Sequence, residues 1–166
     1  MKFNYYAFRA MYLHEMDRFK RTLLQSLFSP VLSTSLYFIV FGSVIGGYVE
    51  NIDGISYGSF IVPGLLMLTL LTQSISNTSF GIFFPKFNGT IYEILAAPIS
   101  TFEIVLAFVG AGATKTLLVG VVIFITATFF VEVQVMYPLL MIFLLVLVAF
   151  TFALFGFLIG LMSSNF

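Results

Sequence analysis

The side chains that could do chemistry in this chain are arranged for hydrogen bonding rather than for bond breaking. Thr69, Thr72, Gln73, Ser74, Ser76, Asn77, Thr78 and Ser79 crowd into one half of an otherwise apolar run. At about 100° per residue, Thr69, Thr72, Gln73 and Ser76 share one helical face, with Asn77 beside it. Such a face either ties helices together by hydrogen bonds or forms the polar wall of a path for a solute. Lys115 is the one basic residue inside an apolar stretch. It lies twelve residues past Glu103, about 18 Å along a helix. A charge at that depth in a membrane is costly unless it meets a partner or a cavity. Lys115 is therefore expected to face the bundle interior or a subunit interface, as part of the path or of the interhelical polar face. The other readings are a charge paired inside the subunit, or a crossing that begins deeper in the chain.

Other candidates fail on chemical grounds. Gly110-Ala111-Gly112-Ala113-Thr114-Lys115-Thr116 resembles a phosphate-binding loop. That loop needs glycine directly before its lysine and a strand before the loop; Thr114 and an apolar helix stand there instead. Asn77-Thr78-Ser79 and Asn88-Gly89-Thr90 match glycosylation sequons, but the first falls in an apolar segment and the second in a loop expected on the cytoplasmic side. His14 is the only histidine, and there is no cysteine. No disulfide framework or thiolate metal site is available, and no apolar segment carries a pair of carboxylates. The sequence leads us to expect no catalytic residue, no metal, no cofactor and no enzyme activity of its own.

The elements that must position these residues follow from the composition. Of 166 residues, 60% are hydrophobic and 8% charged, against about 25% charged in a soluble domain. Such a chain cannot cover a water-facing surface, so the lipid bilayer is its main solvent. Net charge is zero, which argues against nucleic acid as a partner. No cleavable signal peptide is expected, because residues 1–29 are polar and basic rather than a short charged start followed by an apolar run.

The fold expected is all-α: a polytopic membrane helix bundle with an N-terminal amphipathic interface helix. In residues 4–26, Tyr5, Phe8, Tyr12, Met16, Phe19 and Leu23 recur at spacings of three and four, one apolar face. The charges of that segment fall mostly elsewhere, as in a helix lying on a membrane surface; the other reading is a soluble helix packed on a partner. Residues 1–29 thus form the interface helix and 30–166 the transmembrane part. Crossings are expected at about 30–48, 60–84, 103–131 and 137–161. Ser29-Pro30 reads as the first crossing's start, Gly42 and Gly46 as a GxxxG contact, and Pro63-Gly64 as a bend. Asp53-Gly54 marks one turn, and Glu132 and Gln134 another.

Between the second and third crossings lies the longest polar-containing interruption after the N-terminal tail, Pro85 to Glu103. Thr90 and Glu93 read as one capping box, and Ser100 and Glu103 as a second. Pro98 ends what lies between. A short helix at 90–97 is therefore expected, held at either end. Lys2, Arg9, Arg18, Lys20 and Arg21 precede the first crossing and Lys86 sits in the central loop. The positive-inside rule then puts the N-terminus and this short helix in the cytoplasm.

Tyr57-Gly58-Ser59-Phe60-Ile61-Val62-Pro63-Gly64, the polar second crossing, and the run from Lys86 to Ser100 (KFNGTIYEILAAPIS) together resemble the ABC-2 type permeases, the membrane subunits of ATP-driven exporters. The resemblance covers essentially the whole chain. It implies a permease homodimer in the bacterial inner membrane, working with separate nucleotide-binding ATPase subunits. It also implies that 90–97 is a coupling helix seated in a groove of the ATPase. The coupling residues would be Lys86, Gly89, Thr90, Tyr92, Glu93 and Leu95. Gly89 would allow the sharp entry, and Tyr92, Glu93 and Lys86 would face the ATPase. The family pattern has six crossings, of which the last two and the outer re-entrant connection are missing here. Two other readings are a four-crossing channel or secondary transporter working without ATP, and a truncated, non-transporting remnant.

Overall fold

The computed structural model describes residues 3–45, 56–131, 133 and 135–163. Among them there are six α-helices and no strand: α1 (Tyr5–Arg21), α2 (Leu23–Tyr37), α3 (Tyr57–Phe87), α4 (Ile91–Ala96), α5 (Thr101–Thr128) and α6 (Pro138–Met162). A π-helical stretch, Phe38–Ile45, prolongs α2. Leu23–Phe41, α3, α5 and α6 are long and apolar enough to cross a membrane. The chain is an all-α polytopic membrane bundle. Gly46, Asp53-Gly54, Glu132 and Gln134 lie outside the described residues.

Local chemistry sets the helix limits. Asn4 caps α1 by accepting the Ala7 N–H at 3.2 Å. At the other end, the Thr22 hydroxyl turns back onto the carbonyls of Arg18 and Phe19. The helix that follows starts at Leu23, not at Ser29-Pro30 as the sequence suggests. Pro30 instead sits inside α2 and is buried. It removes one i→i−4 bond there, a loss that membrane helices tolerate when packing covers the freed carbonyl. Ser56 caps α3 through the Ser59 N–H at 3.3 Å, and Pro138 opens α6 at a position where its missing N–H costs nothing.

The long helices alternate in direction around α5. Thr78 of α3 lies against Gly112 of α5, and Leu70 against Gly120, so residue numbers rise on one helix as they fall on the other. By contrast, α6 runs parallel to α3: Gly156 lies on Ile75 and Gly160 on Ser79. Ala149, Ala153, Gly156 and Gly160 form a small-residue stripe, and all four are buried. The backbones meet directly there, and the buried Ser74 hydroxyl donates to the Ala149 carbonyl at 2.9 Å. The main core joins Ile82 of α3 to Ile104, Phe108, Val109 and Ala113 of α5 and to Phe157 of α6. A second layer, Phe38, Val62 and Ala127, closes the opposite end of the bundle.

Helix α1 runs alongside α5 in the same direction, from Glu103 to Ile123. The backbone N–H of Asn4 donates to the Glu103 carboxylate. Tyr12 Oη meets Thr114 Oγ1 at 2.9 Å, and Phe19 packs with Val119 and Ile123. The start of α1, the whole of α4 and the end of α6 therefore share one end of the bundle.

Candidate functional site

At that end, α4 is a six-residue helix strung between α3 and α5. Gly89 provides its entry with φ +79°, a left-handed conformation that costs a glycine little and other residues more. Thr90 holds the N-cap position, yet the expected Thr90–Glu93 capping box does not form. Thr90 has helical backbone angles, so its hydroxyl cannot reach the N–H groups ahead. It points back to the Pro85 carbonyl at 3.4 Å instead. The left-handed Gly89 thus supplies the turn that the box was expected to supply. The second box does form: Ser100 Oγ accepts the Glu103 N–H at 3.3 Å, and Glu103 accepts the Ser100 N–H at 2.8 Å.

The faces of α4 are sharply divided. Ile91 and Ile94 pack on the core. Tyr92 is 74% exposed and Leu95 64%, with Glu93 exposed between them. Phe87 before the turn and Phe102 after it are also exposed. Lys86 is placed differently from the sequence expectation. Its ammonium donates to the carbonyls of Gly160, Leu161 and Ser163 at 3.2, 2.6 and 2.9 Å. A helix C-terminus offers unpaired carbonyls and a negative dipole end, so Lys86 is drawn there rather than outward with Tyr92 and Glu93.

Glu103 links two elements. Its carboxylate takes the N–H groups of Asn4 and Ser100, so one side chain joins the start of α1 to the start of α5, directly after α4. Replacing Glu103 with alanine removes both acceptors. Amide exchange should then speed up in the first turns of α1 and α5 while the centre of α5 stays protected. Unchanged exchange at Asn4 to Ala7 would refute the link.

The polar residues of α3 divide in a way the sequence did not reveal. Ser74 and Thr78 face inward and are buried; the Thr78 hydroxyl is buried without a hydrogen-bond partner. Thr72 and Ser76 are exposed, and Thr69, Gln73 and Asn77 half-buried. The Thr69 hydroxyl bonds to its own helix at Leu65, and that of Thr72 does so at Leu68 and Thr69. Asn77 donates to Gln73 at 3.5 Å. This face ties no other described helix to α3. It forms an open polar band along the outside, with the exposed Phe80 and Phe84 nearer to α4.

Lys115 lies in the middle of α5 and is 3% exposed. Its ammonium is 2.8 Å from Glu15 Oε2 of α1, and Arg18 Nη2 is 3.0 Å from the same oxygen. Glu15 is itself 4% exposed and was missed in the sequence. The signal was present: Glu15 stands three residues after Tyr12 and four before Phe19, inside the apolar face. Lys20 and Asp17, on the outer side of α1, form an exposed pair at 2.9 Å. That hydrogen bond and charge hold the Asp17 carboxyl below its usual range, but pairs of this kind add little stability.

Residues 6–166 match the model of a protein family described as "ABC-2 type transporter". The chain is similar to proteins named "Inner membrane transport permease YadH" from Escherichia coli K12, Escherichia coli O157:H7 and Shigella flexneri. Each is 38% identical over 160 residues, covering 96% of this chain and 62% of the relative. The chain thus spans under two thirds of the length of these relatives. No solved structure matches it.

Proposed function

The chain belongs to the ABC-2 type transporter family, and on that premise we propose that it is the membrane-spanning permease part of an exporter powered by a separate ATPase subunit. It lies in the inner membrane, as the names of its relatives state for them, with its N-terminus and α4 on the cytoplasmic side. Hydrolysis belongs to the partner. This chain converts the partner's motion into tilting of helices and works as a homodimer.

The observation that carries this reading is α4. It is short, held by the Gly89 turn at one end and the Ser100–Glu103 box at the other. It sits at the bundle end that also holds Lys86 and the start of α1. Its inner residues are packed, while Tyr92, Glu93 and Leu95 stand out. An exposed tyrosine and leucine around one carboxylate suit a groove on another protein better than water. A push on α4 cannot be absorbed by slack at its ends, so it passes to α3 and α5. Helix α6 follows, because Lys86 and the glycine stripe bind it to α3. The open band of Thr69, Thr72, Gln73, Ser76 and Asn77 then supports a role as one wall of the substrate path, facing the second permease copy.

The test uses the complete permease with its ATPase in liposomes. Tyr92→Ala with Leu95→Ala should weaken docking by about 2 kcal/mol or more, on the order of thirtyfold. Membrane insertion should stay normal, and the permease should cease to alter the ATPase's turnover. A cysteine at Leu95 should cross-link to the ATPase. Normal coupling in the double variant, or absence of any such cross-link, would overturn the assignment of α4.

A further inference from the structure

Helix α1 has the composition of a helix that floats on a membrane surface, yet it is fastened to the bundle at two heights. The lower tie is Asn4 to Glu103. The upper tie is Glu15 to Lys115, with Tyr12 hydrogen-bonded to Thr114 beside it. Eleven residues of α1 separate Asn4 from Glu15, about 16 Å of helix. A rod fixed at two points that far apart cannot swing freely against its support.

The upper tie also reaches α3. A Cβ built on Gly81 would lie 3.5 Å from Glu15 Oε2 and 3.7 Å from Arg18 Nη2. The carboxylate therefore sits in a shallow notch in α3 at Gly81, where a methyl group would make ordinary contact and a longer side chain would press on it. The Arg18 guanidinium lies 5.9 Å from the centroid of the Phe84 ring, also on α3. Gly81 and Phe84 belong to the last two turns of α3, directly before α4. One buried carboxylate thus sits where α1, α3 and α5 meet.

We infer that Glu15, Lys115 and Arg18 form a charge clamp that makes α1 part of the lever, so that α1 travels with α3, α4 and α5 when the lever moves. Lys115 is then a positioning residue rather than a lining of the substrate path. Its ammonium is spent on Glu15, on the side of α5 that meets α1. The open polar band of α3 is a separate feature. This inference rests on the reading of α4 given above, but the clamp itself can be tested without it.

These 166 residues hold no cysteine, so within them a spin label goes only where a cysteine is introduced. Cysteines replacing Leu13 on α1 and Leu118 on α5, both exposed, report the spacing of the two helices in the complete permease–ATPase complex in liposomes. Without nucleotide, the unaltered clamp should give one narrow distance. Glu15→Gln should broaden it, and so should Gly81→Leu, which fills the notch and leaves every charge in place. Glu15→Leu with Lys115→Met replaces the pair by apolar groups of similar size, which keeps a bundle folded but removes the clamp. In that variant the spacing should differ between the nucleotide-free and ATP–vanadate-trapped complexes; with the clamp intact it should be the same in both. A narrow, nucleotide-independent distance in the apolar double variant would overturn the inference, as would a spacing that changes with nucleotide while the clamp is intact. If trapping moves no pair of labels, including a pair between α4 and the ATPase, the reading of α4 fails. The clamp is then judged on the nucleotide-free distances alone.

Discussion

A leucine at Gly156 should prevent the bundle from assembling, and one at Gly160 should do nearly the same. A Cβ at Gly156 would lie 2.5 Å from the Ile75 carbonyl oxygen and 2.8 Å from its Cα. A Cβ at Gly160 would lie 2.7 Å from the Ser79 carbonyl oxygen. These obstacles are backbone and cannot rotate away, so the two helices must separate along their length. Overpacking that side chains can relieve already costs about 1–3 kcal/mol. Here separation would also break the Ser74–Ala149 bond and lift the end of α6 off Lys86. Without a hydrophobic drive between helices in lipid, close packing is a main source of their association. The combined loss is comparable to a total stability of roughly 5–15 kcal/mol. Protease resistance in membranes, or unfolding by added SDS from mild detergent, would register the loss. Gly64→Leu is the control, since nothing lies within 4 Å of a Cβ there. Equal resistance of Gly156→Leu and Gly64→Leu would show that the stripe is not what holds α6.

The sequence disclosed four helices long and apolar enough to cross a membrane, because long apolar runs have little choice of solvent, and it disclosed the start of α5 because the Ser100–Glu103 box is local. It misled wherever the deciding partner was distant. Nothing local marks Gly156 and Gly160 as a contact: what makes them one is Ile75 and Ser79, some eighty residues away, presenting bare backbone to them. The helical wheel correctly grouped Thr69, Thr72, Gln73 and Ser76, but grouping does not say which way a face turns. Ser74 and Thr78, four apart and around the helix from that face, turn inward instead. Thr90–Glu93 failed as a capping box because the left-handed turn at Gly89 had already set the backbone at Thr90. Glu15 stands among charges that fall mostly off the apolar face of α1, which suggests the outer side for it too. The partner that reverses that assignment, Lys115, comes a hundred residues later.

The same pair yields an unequal set of mutational costs. Glu15→Leu should be the most damaging single change, because it leaves the Lys115 ammonium buried with no counter-charge beside it and Arg18 close by. Breaking a buried pair costs about 3–5 kcal/mol, and this variant belongs at the upper end. Lys115→Met should cost less, about 3 kcal/mol, since Glu15 keeps Arg18 at 3.0 Å and Arg18 is 34% exposed in its side chain. The double variant should be milder than either single change, within about 1 kcal/mol of the original, because two apolar groups of matching size need no compensation. The coupling energy of the cycle is then large and of opposite sign to the single effects. Equilibrium unfolding of the four proteins in the same detergent would measure it. Additive losses would mean that the two residues act independently and that their contact is incidental. A milder double variant would instead show that each residue is tolerated at this depth only because of the other.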